Sequence, residues 1–594
     1  MILVALFIIT TAEVKKCQLS TGWIKEAQLL EQSTVLLHND SMIVPLKDLA
    51  GRRIASVNIG AANASVFDSI LNKYTDVARF SASGYQDTTL NKLSTSLRYY
   101  NTVIVQLNTN SLADSKTVAF IADLIKGRQV IAVVSGAAGA LKALDGFSLP
   151  VVWTEEETPA SAAYTAQLIF GGVAASAKLP EDVSLNYKKG DGYTTTVVRL
   201  KYTVPEDAGI NSADLEQPID KIVNEAIAQK ATPGAVVMVV KDGKVLFNKA
   251  YGTHTYVGGQ SDKVGDIFDL ASVTKIAATT IAVMRLYEQQ KLMLDSSFGT
   301  YMPLARNTSK SDLRIRELML HEAGLTPFIP FYASIKPGDF SSDSTSYYSV
   351  KVADNYYLRR NYYEDVMLPR MLNTKLQIRG KYEYSDLSMY FMKEVIEQLA
   401  AEPLDKYVLD EFYKPLGMQT AGFTPRNRFD KRRIVPTEQD TYFRKTLLEG
   451  YVHDQGASMA GGVAGHAGLF ASANDLAILC QMFLNCGTYG GAEYFKPETV
   501  QLFTKRQSSR SRRALGFDGW DPETKKYPSM LASPQTYGHT GYTGTCVWID
   551  PAKNLVYIFL SNRVHPRVTD KLSALKIRPR IQDVIYEAIE KGMK

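Results

Sequence analysis

Cysteine is almost missing from this chain: four residues in 594, at Cys17, Cys480, Cys486 and Cys546. No two of them form a CxxC pair, which excludes a redox dithiol and a zinc-ribbon cluster. Cys480 and Cys486 lie six positions apart on a stretch of helical spacing, so they point to different faces. All four are read as free thiols. Histidine is scarce as well, with seven residues and no HExxH among them, so no metal and no cofactor are expected. No apolar run approaches the roughly 20 residues of a membrane helix, which excludes a stable membrane span. Nor is there a dense basic block. The formal charge of +6 is spread along the chain, and Arg510-Ser511-Arg512-Arg513 reads as a solvated loop, so nucleic acid is not an expected partner.

What remains is a globular composition on a chain too long for one hydrophobic core, which predicts at least two domains. Residues 2–9 form a short apolar run and Thr10-Thr11-Ala12 offers a cleavage site, but no basic segment precedes them. Residues 1–22 are therefore a candidate leader, with a buried strand or a truncated start as the alternatives. A leader would place the protein in the periplasm or outside the cell.

From residue 23 to 205 continuous apolar strands alternate with helical patterns. The strands are Arg53–Gly60, Thr102–Leu107, Gln129–Ser135 and Pro150–Trp153; the clearest helices are Ser115–Ile125 and Ser161–Phe170. That alternation predicts an α/β domain with a doubly wound, mostly parallel sheet. A second pattern covers 209–594. The amphipathic stretch Asp214–Gln229 leads into two β runs around Asp242-Gly243, a strong hairpin signal. Strands return at Thr545–Ile549 and Asn554–Leu560, before a last helix over Ile581–Lys591. Strands from both ends with helices between them predict an α+β domain, an antiparallel sheet flanked by helices. Within it, residues 326–379 form a Tyr-rich stretch, interleaved with polar residues and read as a partly exposed insertion.

Three short motifs carry chemistry. Ser272-Val273-Thr274-Lys275 opens the apolar helix Ile276–Gln289. Positions three apart share a helix face, so the Lys275 ammonium reaches the Ser272 oxygen, and the helix N-terminus favours a developing alkoxide. Such activation is what a serine needs to act as a nucleophile. An SxxK match is weak by itself: Ser573-Ala574-Leu575-Lys576 also fits, but nothing catalytic follows it, so it is read as a decoy. The bland reading of Ser272 is a helix N-cap. Tyr384-Ser385-Asp386 precedes the helix Ser388–Leu399. A phenol near two cations can lose its proton and shuttle it, whereas the bland reading is a core tyrosine and an aspartate cap. His539-Thr540-Gly541 enters a strand. A strand edge there suits a substrate carbonyl, with the N–H groups of Ser272 and Tyr542 as the oxyanion hole; the bland reading is a glycine turn.

SxxK, Tyr-x-Asn/Asp and Lys/His-Thr-Gly, in that order, resemble the serine β-lactamase and penicillin-binding-protein family, in detail its class C and esterase, peptidase and amidase branches. Leu318–Leu325 and Gly461–Phe470 with Ser472–Leu476 extend the resemblance, which spans about 209–594. It implies that Ser272 is acylated, that Lys275 activates it, that Tyr384 is base and acid, and that His539 fills the place of the third-motif lysine. Asp386, Thr540 and Gly541 would bind substrate. Asp386 stands where class C enzymes carry Asn and His539 where they carry Lys, departures that fit the non-lactamase branches. Gln28–Leu46 and Gly171–Pro180 resemble the C-terminal domain of family-3 glycoside hydrolases. That family's catalytic barrel and Lys-His-Phe-Pro-Gly-His motif are absent, so no glycosidase activity is expected. In bacteria such glycosidases occur fused to β-lactamase-like domains. The resulting expectation is a serine hydrolase cutting amide or ester bonds of peptidoglycan fragments. The alternatives are a silent glycan- or peptidoglycan-binding protein and a β-N-acetylglucosaminidase-like protein without its barrel.

Overall fold

The computed structural model describes residues 22–85 and 90–593. Cys17 and the expected leader up to residue 21 lie outside the described residues. The chain divides into two compact units. The first comprises residues up to Asp207 with Lys414–Gln419 and Tyr489–Ala492, and the second the remainder.

The first unit is built on six strands: β1 (Val35–Leu37), β2 (Ile54–Ile59), β3 (Val77–Ser81), β4 (Thr102–Asn108), β5 (Gln129–Ser135) and β6 (Val151–Thr154), in the order β1-β6-β5-β4-β2-β3. All neighbours are parallel except β1 and β6. Because strand side chains alternate, Val103 and Val105 join one buried cluster and Ile104 the other. Helix α1 (Ala64–Leu71) and helix α3 (Pro159–Phe170) feed the second cluster, while α2 (Ser115–Leu124) feeds the first. Strands that are apolar throughout thus have cover on both faces, which explains their unbroken hydrophobic runs.

The second unit opens with α4 (Ser212–Ala228), then the hairpin β7 (Gly234–Lys241) and β8 (Lys244–Gly252), turning at left-handed Asp242 and Gly243. The strands β9 (Tyr537–Thr540), β10 (Cys546–Asp550) and β11 (Leu555–Ser561) complete an antiparallel run in the order β9-β10-β11-β7-β8. The C-terminal β11 pairs along its length with β7, from Leu555 opposite Lys241 to Ser561 opposite Ala235. One face is covered by α4 and the C-terminal helix Ile577–Gly592, through Leu215, Ile219, Val223, Ile581 and Ile585. Between the hairpin and β9 lies a helical region that carries the site. Cys480 and Cys546 are buried and Cys486 exposed, all three unbridged. Among the described residues no helix is long and apolar enough to cross a membrane.

Candidate active site

The motif serine sits where the chain changes from strand to helix. Phe268–Asp269 pairs with Leu469–Ala471, and Ala271 then turns through φ 46° with its N–H held by Asp269 Oδ1 at 2.9 Å. Ser272 falls in the following tight turn. A wider π-helical stretch, Lys275–Thr280, leads into α5 (Ile281–Glu288). Such widened turns recur at functional sites. The Lys275 side chain is fully buried. Its ammonium has three donors and three acceptors: Ser272 Oγ at 2.9 Å, Asp386 Oδ1 at 2.8 Å and the His466 carbonyl at 3.0 Å. The Tyr384 hydroxyl donates to the same Ser272 Oγ at 2.9 Å. Ser272, Lys275, Tyr384 and Asp386, read from two separate motifs, therefore meet at one point.

The charges around that point are lopsided. Burial by itself would lower the Lys275 pKa, but Asp386 and Tyr384 hold it above the ordinary lysine value. Two cations do face the Tyr384 ring, Lys275 at 5.0 Å and Arg513 at 5.2 Å. Burial nevertheless outweighs them and leaves the phenol above its ordinary pKa. The resting site thus holds an ammonium and a neutral phenol, not the phenolate that two neighbouring cations suggest. Asp386, expected to face substrate, is the first residue of α6 (Asp386–Ala400) and is engaged by Lys275.

His539 lies on β9, 3% exposed. Its Nδ1 is 2.7 Å from the Thr540 carbonyl and its Nε2 is 3.2 Å from Arg513 Nη1. A guanidinium can only donate, so Nε2 accepts and Nδ1 carries the proton. Burial, then Arg513 and Lys275, push the His539 pKa down to about 3. It follows that kcat/KM should show no limb from His539 between about pH 5 and 8. A histidine-type inflection there that His539→Gln removes would contradict this lowered pKa. Arg513 corrects the reading of residues 510–513 as a solvated loop. It is 3% exposed, donates to the Tyr382 hydroxyl at 3.0 Å and lies 3.7 Å from Asp518, which also takes two bonds from Arg512. A fixed cation, the Arg513 guanidinium, therefore stands directly behind His539.

Gly541 is required by a close approach. A Cβ there would lie 2.1 Å from Thr545 Oγ1 and 2.5 Å from the Leu270 carbonyl. The Thr545 and Thr543 hydroxyls donate to the carbonyls of Leu270 and Asp269 at 3.0 and 2.8 Å. The third motif is thus stapled to the strand end that delivers Ser272, with Tyr542 next to it and half exposed.

Two neighbours escaped the sequence reading. Arg513 is one. His321 is the other: its ring lies 4.6 Å from that of Tyr384 and its Nδ1 accepts the Ser385 N–H at 3.3 Å. Burial, then Arg513 and Lys275, hold it neutral, well below the usual histidine pKa. It sits inside Leu318–Leu325, a stretch already singled out, which was the available signal. His466 meets the site through its carbonyl, while its ring pairs with Asp454 at 2.9 Å. In the Tyr-rich insertion Tyr332 packs on Tyr442 and Phe443, Tyr362 is buried and Tyr347 is half exposed. The second SxxK match has an exposed Ser573 and an exposed Lys576 just before the C-terminal helix.

A serine oxygen held by an ammonium and a phenol, on a helix start beside an antiparallel sheet, is the arrangement of a serine hydrolase. The chain belongs to the beta-lactamase family, whose profile matches residues 219–578. The N-acetylmuramyl-L-alanine amidase of Bacillus subtilis (strain 168) is 33% identical over 384 residues, covering 59% of this chain and 82% of that protein. The "Putative D-alanyl-D-alanine carboxypeptidase" of Escherichia coli (strain K12) is 32% identical over 407 residues, covering 63% of this chain and 89% of that protein. Among solved structures, EstCE1, a hydrolase with promiscuous acyltransferase activity, is 20% identical over 63% of this chain and 98% of that one, with a TM-score of 0.48.

Proposed function

We propose that the second unit hydrolyses an amide bond of cell-wall muropeptides through an acyl-enzyme on Ser272. The observation that carries this reading is the pair of 2.9 Å hydrogen bonds converging on Ser272 Oγ from Lys275 and Tyr384. The substrate class rests on the amidase and carboxypeptidase relatives. In this reading Ser272 attacks the carbonyl, and its proton passes into the Lys275–Tyr384 pair, which later returns it to the leaving amine. The N–H groups of Ser272 and Tyr542 take the oxyanion. Thr540 and Gly541 line the strand edge, and His539 presents a neutral ring backed by Arg513. Mass spectrometry after incubation with muramyl peptides tests it. Release of free N-acetylmuramic acid and intact peptide identifies an amidase, whereas release of D-alanine identifies a carboxypeptidase. Intact muropeptides with an active ester assay would refute the substrate class.

Because the ammonium–phenol pair begins fully protonated, it must give up a proton before Ser272 is activated. Activity should therefore rise with pH as the pair loses that proton, and fall as pH drops below its apparent pKa. Asp386 raises both Lys275 and Tyr384. Asp386→Asn should accordingly move this limb of the kcat/KM profile to lower pH. A limb that stays in place or moves upward would show that Asp386 does not set it.

β-Lactam turnover should be slow. The Asp386 carboxylate offers no N–H to an acyl side-chain carbonyl, and it is occupied by Lys275. Loss of such a contact costs about 1–3 kcal/mol, or roughly 10–10²-fold in rate. Nitrocefin should thus show kcat/KM about 10–10²-fold below a muramyl peptide on one preparation, and parity between the two would sink this reading.

The boundaries 23–205 and 209–594 are proposed as the two domains. The first is read as a doubly wound sheet of the family-3 glycoside hydrolase C-terminal type, without glycosidase activity. The parallel pairing and two-sided cover of its strands support this. A substrate in the cell wall argues for a periplasmic or secreted protein.

A further inference from the structure

We propose that His254, Asp262 and Asp266 form a binding site for one divalent transition-metal ion of the zinc or manganese type, separate from Ser272 and its partners. The three side chains are buried, and one ligand atom from each lies within 4.8 Å of the other two. His254 Nε2 is 2.9 Å from Asp266 Oδ2 and 3.9 Å from Asp262 Oδ1. Donors sharing an ion at 2.0–2.2 Å stand about 3–4 Å apart, so these separations need little adjustment.

The observation that points to a ligand is Asp262. The residue is 8% exposed and its side chain not at all, yet neither carboxylate oxygen has a hydrogen-bond partner. Buried carboxylates are ordinarily hydrogen-bonded, paired or bound to metal. Among the described residues no lysine or arginine pairs with Asp262 or Asp266, and His254 is their one ion-pair partner. Two buried carboxyl groups beside one imidazole form a donor set that a divalent cation can balance. The donor set, one imidazole nitrogen with carboxylate oxygens, suits zinc and manganese better than magnesium or calcium, which favour all-oxygen cages.

The surroundings hold the backbone of His254 and Asp262 and the Asp266 carboxylate, while the Gln260 amide nitrogen, 3.2 Å from His254 Nε2, would turn aside for an ion. His254 and Asp262 are tied across a short return of chain after β8, by His254 N–H to the Gln260 carbonyl at 2.9 Å and Asp262 N–H to the Gly252 carbonyl at 3.2 Å. Asn562 donates to the His254 carbonyl at 2.9 Å, and the Lys263 N–H donates to Asp266 Oδ2 at 2.7 Å. Gly234 makes room for the carboxylate, since a Cβ there would lie 2.3 Å from Asp262 Oδ2. Asp266 stands just before the strand Phe268–Asp269 that delivers Ser272. An ion here would clamp the end of the hairpin to that strand, and its binding energy would add to folding stability. The spacing, eight residues and then four, matches no His/Cys pattern, so the sequence reading expected no metal. A second grouping, Asp386, Asp454 and His466, is already satisfied by Lys275 and by its own ion pair.

The test uses full-length protein stripped with a chelator and then titrated separately with zinc, manganese, calcium and magnesium, with metal content measured after desalting. The expected result is one zinc or manganese per chain and a higher Tm on loading. Asp262→Asn, which keeps the shape, and His254→Ala should weaken binding at least about tenfold, the scale of a lost metal contact, while Asp454→Asn should not. X-ray absorption of the zinc-loaded wild type should show only nitrogen and oxygen neighbours. Folded wild-type protein that takes up neither ion would overturn the site. So would uptake of calcium or magnesium alone, or zinc retained by Asp262→Asn and lost by Asp454→Asn.

Discussion

Ser272→Ala should reduce turnover of a nitrophenyl ester and of a muramyl peptide by about 10⁵–10⁶-fold, the scale on which serine hydrolases lose their nucleophile. Ser573→Ala should leave both unchanged. The two serines share the SxxK pattern but not the surroundings. Ser272 receives bonds from an ammonium and a phenol, whereas Ser573 and Lys576 are both exposed. Alanine at 272 removes only a hydroxyl, and Lys275 keeps Asp386 and the His466 carbonyl as partners. The variant should therefore fold with a Tm close to wild type. Mass spectrometry of wild type with a slow ester should find the acyl group on the peptide carrying Ser272. An acyl adduct elsewhere, or an active Ser272→Ala enzyme, would mean that another group attacks.

The next largest loss is expected at the proton-handling pair. Tyr384→Phe and Lys275→Ala should each lower kcat by about 10²–10⁴. Tyr384→Phe is the cleaner measurement, because the ring keeps its contacts with His321 and with the two cations. Lys275→Ala does more. It deprives Asp386 and the His466 carbonyl of their shared donor, so Tm should drop along with kcat. Full kcat in Tyr384→Phe would place the proton route through Lys275 alone. Full kcat in both variants would place it outside the pair.

The sequence made parts of this protein legible and hid others, for physical reasons. Apolar strands such as Thr102–Asn108 and Gln129–Ser135 announce themselves because both faces are covered. The edge strand Val77–Ser81 has little buried beyond Val77, so it carries no hydrophobic signature. Boundaries moved where a cap decides them: the helix read from Asp214 begins at Ser212, because the Asn211 side chain takes the Ala213 N–H. In the site, motifs of local spacing revealed Ser272, Lys275, Tyr384, Asp386 and His539. Arg513 was invisible because its partners, Asp518, Tyr382 and His539, are set by tertiary packing. A buried arginine and an exposed one look alike in a string of letters. Asp386 was found, but its partner was not, since a carboxylate in that motif serves a substrate amide or a lysine equally well.

The staple between the third motif and the nucleophile's strand bears on how the site opens. Hydroxyls of Thr543 and Thr545 grip the Asp269 and Leu270 carbonyls, and the missing side chain of Gly541 lets the backbones touch. The third-motif strand and the chain segment that delivers Ser272 cannot move apart without breaking those bonds. Their amide protons should therefore exchange with solvent as one cooperative block.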